Sequence, residues 1–499
     1  MPTRALAVLL LLAVPCVQMG CYVRQVQDVP AASVSQPEKE KIVGITTVKG
    51  ESISFNPPGA SINDKILHAS VNKMPYEIPL DQVERYWVER KELSKGRTAG
   101  IIVAVAVVGV IAGVAATHHS NPSPPKSSCP FIYSWNGSEY VLDAETYAGA
   151  ITRGLERDDY SELEHLIADK GFYRLMITNE AEETEFTNLM ALQVVDHPAQ
   201  TQVVADESGN YHIVAAPQPP ISARDNFGHD LLRWLEAPDR LIWEPEAARD
   251  ASHGVRHEIT MTFPKPKGAT TAKLVANAAT GTWGAFMIPE SLALHGRDLE
   301  AWYQQIDNNQ KEREALLAWS LREELYELKV YVQEPTGWQL GGIIPGGGPV
   351  VAQNRAVLLD VSRVPGDELH VQIRPPAGFW ALNYFAVDYS AESLPRVETL
   401  RPVKALDESG KSVLAELSDV DDSYYTMPVQ GNRAYVTFPA PALRPGMRRT
   451  VFLHSRGYYR LHLTPQGEPN TAVLREIGGV PDAAARLAAL RYSQWQNGQ

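Results

Sequence analysis

Residues 98–117 read TAGIIVAVAVVGVIAGVAAT, and the layout of the whole chain turns on them. No charge interrupts the run, which has the ~20-residue length an α-helix needs to cross a bilayer's hydrocarbon core. It reads as a transmembrane helix that divides a small polar segment from a large C-terminal body. Gly109 and Gly113 form a G-x-x-x-G pair, a spacing that lets two helices approach closely. They are the expected helix–helix contact of a homo-oligomer, although Gly and Ala are also simply common in membrane helices.

The flanks of this run raise a conflict of sidedness. Arg85, Arg90, Lys91, Lys95 and Arg97 precede it; His118, His119 and Lys126 follow it. Positive residues favour the cytoplasmic side, which would leave the small segment inside and the body outside. The N-terminus argues the reverse. Residues 1–21, MPTRALAVLLLLAVPCVQMGC, have a basic start at Arg4 and an apolar core of signal-peptide length. Gly20-Cys21 resembles the end of a bacterial lipobox, with Gln18 where Leu is usual. Cys21 is therefore the expected lipidation site, with plain secretory cleavage and an uncleaved anchor as alternatives. A processed leader would export the small segment and leave the body in the cytoplasm. The β-rich, Tyr- and Trp-rich body suits an extracytoplasmic location, and that is the expectation adopted, at the cell membrane or outer membrane.

Between leader and run, residues 22–40 are polar, lack a period and read as a tether. Residues 41–92 carry short apolar clusters (Ile42, Ile45 and Val48; Ile53 and Phe55; Ile62, Ile66 and Leu67; Tyr76, Ile78 and Leu80; Val83, Tyr86, Trp87 and Val88) separated by turn residues. Five short strands in so little chain predict a small curved barrel of SH3-like or Sm-like type. A barrel of this kind followed by a basic patch and an apolar helix resembles uncharacterised bacterial lipoproteins over roughly residues 20–118. The resemblance is one of pattern and implies no activity. Sm-like barrels elsewhere bind RNA; a net charge of −13 and an export leader argue against a nucleic-acid partner here.

Beyond a linker at 118–128, whose residues 120–128 are the Pro/Ser-rich SNPSPPKSS, the body opens with alternating Phe131, Tyr133 and Trp135. Asn136-Gly137 follows as a type I′ hairpin turn, then a return strand through Tyr140 and Leu142. Further strands are expected at 172–177, 190–195, 211–214, 258–263, 328–332, 356–361, 369–373 and 434–438. Gly171-Phe172-Tyr173-Arg174-Leu175 recurs as Gly457-Tyr458-Tyr459-Arg460-Leu461, read as two strands that each begin after a turn glycine. Residues 298–325 have helical spacing around Asp307-Asn308-Asn309, as one long helix or a hairpin, and a helix starts after Pro481. The fold class is thus mainly β. Two β-sandwich-like domains are expected at 129–290 and 327–465, with a helical insertion at 291–326 and a helical tail at 466–499.

The usual chemical motifs are absent or misplaced. Ala405 to Ser412 matches the loosest phosphate-loop pattern, but Asp407 and Glu408 would repel an anion, and 413–415 reads as a return strand. His253 and His257 are four apart, with a glycine between them and a strand after them. Glu416, Asp419, Asp421 and Asp422 lack the glycine and terminal glutamate of a calcium loop. The glycines of 341–349 read as a flexible loop. Cys129 is a lone thiol before Pro130 with no histidine placed to activate it. No cofactor or metal is expected. The function expected is a membrane-anchored envelope lipoprotein that binds or assembles with an envelope protein or glycan and contacts the lipid bilayer. The alternatives are an envelope hydrolase using dispersed residues such as Asp143, Glu145, His165 or the 416–422 acids, and a component of an oligomeric membrane assembly.

Overall fold

The computed structural model describes residues 22–93 and 129–497, apart from 32, 33, 35, 50, 51, 57, 58, 64, 72, 73, 246–253 and 394. The expectations for the leader with Cys21, for the run 98–117 with Gly109 and Gly113, for the 118–128 linker and for His253 lie outside the described residues. Among those described, no helix is long and apolar enough to cross a membrane. Of the described residues 44% are in strands and 20% in helices, about twice the strand content of an average soluble domain. It is mainly β.

The small N-terminal unit has two sheets. Four strands run in the order Tyr22–Pro30, Val83–Leu93, Ile42–Thr47, Ser52–Ser54, and a second sheet holds Ser61–Asn63, Ile66–Val71 and Met74–Pro79. Ile42, Ile45, Phe55, Leu67, Ile78, Tyr86 and Val88 fill the space between them. The first strand falls where a tether was expected. It lies at the edge of its sheet and is held by backbone pairing to Val83–Leu93, which needs no apolar alternation and so leaves no period to read.

The body departs from the expected order of two consecutive domains. Its first sandwich is assembled from the two ends of the body. One sheet runs Lys404–Asp407, Arg433–Pro439, Phe172–Thr178, Phe131–Trp135, Tyr140–Glu145. The facing sheet runs Arg157–Glu162, Met447–Leu461, Glu183–Pro198, Val397–Leu400, with Tyr425–Met427 also paired to Glu183–Pro198. Its longest ladder joins Glu183 to Leu461 at one end and Pro198 to Met447 at the other. The core between the sheets includes Ile132, Leu175, Met190, Leu192, Val436, Phe438 and Leu453.

The second sandwich is inserted between these ladders. Ser222–Arg224, Ile259–Pro264, Glu368–Ile373, Glu327–Glu334 and Gly337–Pro345 form one sheet; Gln353–Asp360, Thr271–Thr280 and Trp380–Asp388 form the other. Phe263, Leu274, Leu328, Val371, Trp380 and Phe385 belong to its core. A boundary at 290–327 therefore divides neither sandwich from the other, because pairing between distant strands, not sequence proximity, closes each sheet.

Local readings hold or fail for specific reasons. The helical block is a pair, Leu299–Asn308 and Gln310–Glu323, broken at Asn309, whose extended backbone ends one helix while its side chain accepts the Lys311 amide to start the next. Thr282–Ala293, placed within a sandwich by the sequence reading, is a helix. The hairpin at Asn136-Gly137 forms with a longer loop than a two-residue turn. Trp135 pairs with Tyr140, and the Asn136 carboxamide oxygen accepts the amides of Ser138 and Glu139. Gly457 follows no turn; it sits inside Met447–Leu461, where a Cβ would come within 2.3 Å of the Phe186 carbonyl and 2.8 Å of the Tyr147 ring. Gly341 and Gly342 are strand residues too, the second facing Val357 so closely that a Cβ would lie 2.3 Å from its side chain.

Candidate functional site

The chain leaves the small unit at residue 93 and enters the body at residue 129, and these two points differ in construction. At the departure, Val83–Leu93 pairs with Ile42–Thr47 only as far as Val88. Beyond it, Glu89–Leu93 continues as a two-stranded ribbon with Tyr22–Val26, ending on the pair Tyr22–Leu93. At ~3.4 Å per residue the ribbon extends about 15 Å past the last pair with Ile42–Thr47. Tyr22 faces Leu93 at its tip, where this part of the described chain begins and ends.

At the return, Cys129 is buried, with a φ of 134° that disfavours a side chain. Its amide donates to Glu183 Oε1 at 2.8 Å, and its Sγ lies 3.9 Å from Glu145 Oε1. The other Glu145 oxygen accepts the amides of Val350 and Val351 at 2.6 and 2.8 Å. Gly348 lies against the same carboxylate, where a Cβ would be 2.3 Å from its carboxyl carbon. The glycine loop of the inserted sandwich is thus moulded around an acid of the first one. It is a fixed seam, further held by Thr280 Oγ1 donating to the Gly347 carbonyl at 2.6 Å and by the Arg157 guanidinium at the Gly346 carbonyl.

Glu183 and Glu185 point to one face of their strand because side chains alternate along it, and both are fully buried. Among the described residues no donor reaches either carboxylate oxygen of Glu185. Burial pushes Glu183 up to about 8, against the stabilising Cys129 amide. Burial raises Glu185 well above the usual carboxylate range, and the charge of Glu183 raises it further. A buried carboxylate without a donor is costly, and protonation removes the cost. Near neutral pH this pair therefore holds protons. Tyr147 packs beside it, its hydroxyl 2.8 Å from Thr187 Oγ1, and burial raises this phenol as well. A cavity of about 20 Å³ lies at the seam between Gly149, Thr280, Tyr326, Gly347 and Tyr459. That is room for about one water and for no organic substrate.

The residues suspected of hydrolytic chemistry are partly brought together. Asp143 binds His165 twice, Oδ1 to Nδ1 at 2.8 Å and Oδ2 to the backbone amide at 3.0 Å. Both carboxylate oxygens are thus engaged in holding one turn. Glu145 is committed to the seam. The 416–422 acids scatter: Asp419 pairs with Arg401, Asp421 exchanges backbone bonds with the bulged Asn188, and Asp422 meets Arg153. Among the described residues no His, Cys, Asp and Glu group is disposed to hold a metal ion. The 405–412 segment turns on Asp407, whose Oδ1 accepts the amides of Ser409 and Lys411. A short helix, Leu414–Ser418, follows in place of the expected return strand; with those amides engaged, no phosphate cradle forms.

One cluster escaped the sequence reading. His257 and His229 both direct Nδ1 at Asp225 Oδ2, at 3.0 and 2.8 Å, with Trp243 and Phe227 edge-on to the His257 ring. Burial opposes the Asp225 charge, but the two imidazoles hold its carboxyl below the usual range. The spacing of His229 to Asp225 was the available signal; its partner 32 residues away was not. Compared with known proteins, the chain matches no protein-family model, no curated protein and no solved structure.

Proposed function

We propose that this chain is a membrane-anchored cell-envelope lipoprotein, similar in layout to uncharacterised bacterial lipoproteins, whose paired sandwiches serve binding or assembly. The small unit is read as an SH3-like or Sm-like barrel that carries the anchor. The observation that carries the proposal is the pairing of Tyr22 with Leu93. With Tyr22 opposite Leu93, an acylated Cys21 and the apolar run 98–117 would adjoin one ribbon tip and act at one place. A diacylated cysteine gives stable anchoring where one acyl chain alone is marginal. Arg24, Arg90 and Lys91 lie on the same ribbon, where basic residues favour anionic headgroups. The large polar seam supports a scaffold role, since its acids are engaged in joining the sandwiches.

Mass spectrometry of the mature N-terminus tests the reading. A diacylglyceryl group on Cys21 and recovery with membranes are expected. An unmodified N-terminus on chain recovered wholly from the soluble fraction would overturn it.

A further inference from the structure

The small barrel docks on the body through one ring. Along Val83–Leu93 the side chains alternate: Tyr86 and Val88 face the barrel interior, and Trp87 faces outward. An outward tryptophan on an isolated barrel would be exposed, yet Trp87 is only 3% exposed. Its indole packs 6.1 Å, centroid to centroid, from that of Trp234 in the inserted sandwich. Val43, on the neighbouring strand, joins Trp87 in the same core cluster as Leu231, Trp234 and Leu235. On the barrel side Gly44 makes room for the ring, since a Cβ there would be 2.2 Å from it. The indole N–H is retained by Thr46 Oγ1 at 3.2 Å.

This contact bears on the sidedness conflict, and it rests on the anchoring reading above. We infer that the barrel and the body lie on the same, extracytoplasmic face of the membrane. A single crossing would set residues 93 and 129 on opposite sides of a hydrocarbon layer about 30 Å thick. Two indoles in core contact cannot straddle it. The basic flank that favoured a cytoplasmic barrel weakens on the same evidence. Arg85, Arg90 and Lys91 belong to a paired strand, where they are parts of a folded unit and not of a short topogenic loop. An exported leader and an exported body then agree, and the partner of the ribbon tip is the lipid surface itself.

The test places single cysteines at exposed sites, Lys49→Cys in the barrel and Ser208→Cys in the body, in the full-length chain, and treats intact spheroplasts with a membrane-impermeant maleimide. Cys129 is buried and supplies no background. Both surface positions are expected to label fully from outside, with no gain on permeabilisation. Membrane-bound chain in which one position labels only after permeabilisation overturns the inference and leaves the anchor standing. Chain found wholly in the soluble fraction overturns both. Neither surface substitution touches the core, so loss of folding does not confuse the outcome.

Discussion

The chain departs for the 94–128 segment from a ribbon of backbone bonds and returns to a nest of buried acids. The departure, Tyr22–Val26 on Glu89–Leu93, lies beyond the last barrel pair and is held by its ladder. The return, Cys129, is fixed by Glu183, Glu145 and a glycine loop from the other sandwich. A two-stranded ribbon on its own is marginal in water, whereas the seam is pinned by Glu145 accepting two amides of the other sandwich and by Glu183 accepting the Cys129 amide. The difference makes the ribbon the compliant end and the seam the stiff one. Under the anchoring proposed above, the compliant end is the one that would meet the membrane.

The largest effect should come from Glu145→Ala. It strips the charged acceptor from the part-buried amides of Val350 and Val351 and loosens the joint between the two sandwiches. Two hydrogen bonds to one carboxylate predict a loss of about 2–4 kcal/mol in chemical denaturation. A loss under about 1 kcal/mol would mean the seam is wet and the stiff end less stiff than its geometry implies.

The acid pair predicts a pH dependence with a definite sign. Burial raises both carboxyls of the Glu183–Glu185 pair in the folded chain, whereas each titrates at ~4.3 when unfolded. The folded state therefore holds extra protons above the unfolded value. The associated stability is present below the unfolded value and is lost as pH rises through the folded titration of the pair, with a slope of ~1.4 kcal/mol per pH unit for each extra proton held. Glu183→Gln should flatten that slope in thermal melts across this window; an unchanged slope would place the titration elsewhere.

Asp225→Asn probes a site remote from both ends. The Asp225 carboxyl is held below its usual range, so its contribution is present above the unfolded value and fades only in acid. The substitution should cost about 1–3 kcal/mol at neutral pH and progressively less below the unfolded carboxylate value. A cost independent of pH would show that the two imidazoles do not bias the charge. The smallest effect is expected at the compliant end. Arg24→Pro removes a ladder donor from the ribbon and should shift body stability by no more than about 0.5 kcal/mol, while weakening membrane retention. A body destabilised as strongly as by Glu145→Ala would erase the distinction between the two ends.

Much of the strand content was legible because alternation survives wherever one face is wet. The hairpin around Asn136-Gly137, the strands at 172–177 and 369–373, and the break at Asn309 follow from short-range signals. Trp380–Asp388, WALNYFAVD, was passed over because both its faces are covered and no alternation remains. Met447–Leu461 was shortened to its last part because Gly457 resembles a turn. Its actual reason is close approach by Phe186 and Tyr147, residues roughly 300 positions away. The acid cluster is half visible in the sequence: Glu145 stands out as a catalytic candidate, while no local pattern marks Glu183 and Glu185.

The sequence by itself determined what local chemistry governs: the mainly β class, the alternating strands, the helical block around Asp307-Asn308-Asn309 and the uncharged run that an apolar solvent would accept. Those properties are set by neighbours within a few residues. Tertiary structure alone decided that the body's two ends close one sandwich around the other, that Trp87 faces Trp234, and that Glu183 is buried on the Cys129 amide with Glu185 beside it. Each of these depends on which distant surface covers a given face, and the free energy of burying an indole or a carboxyl is set by that cover.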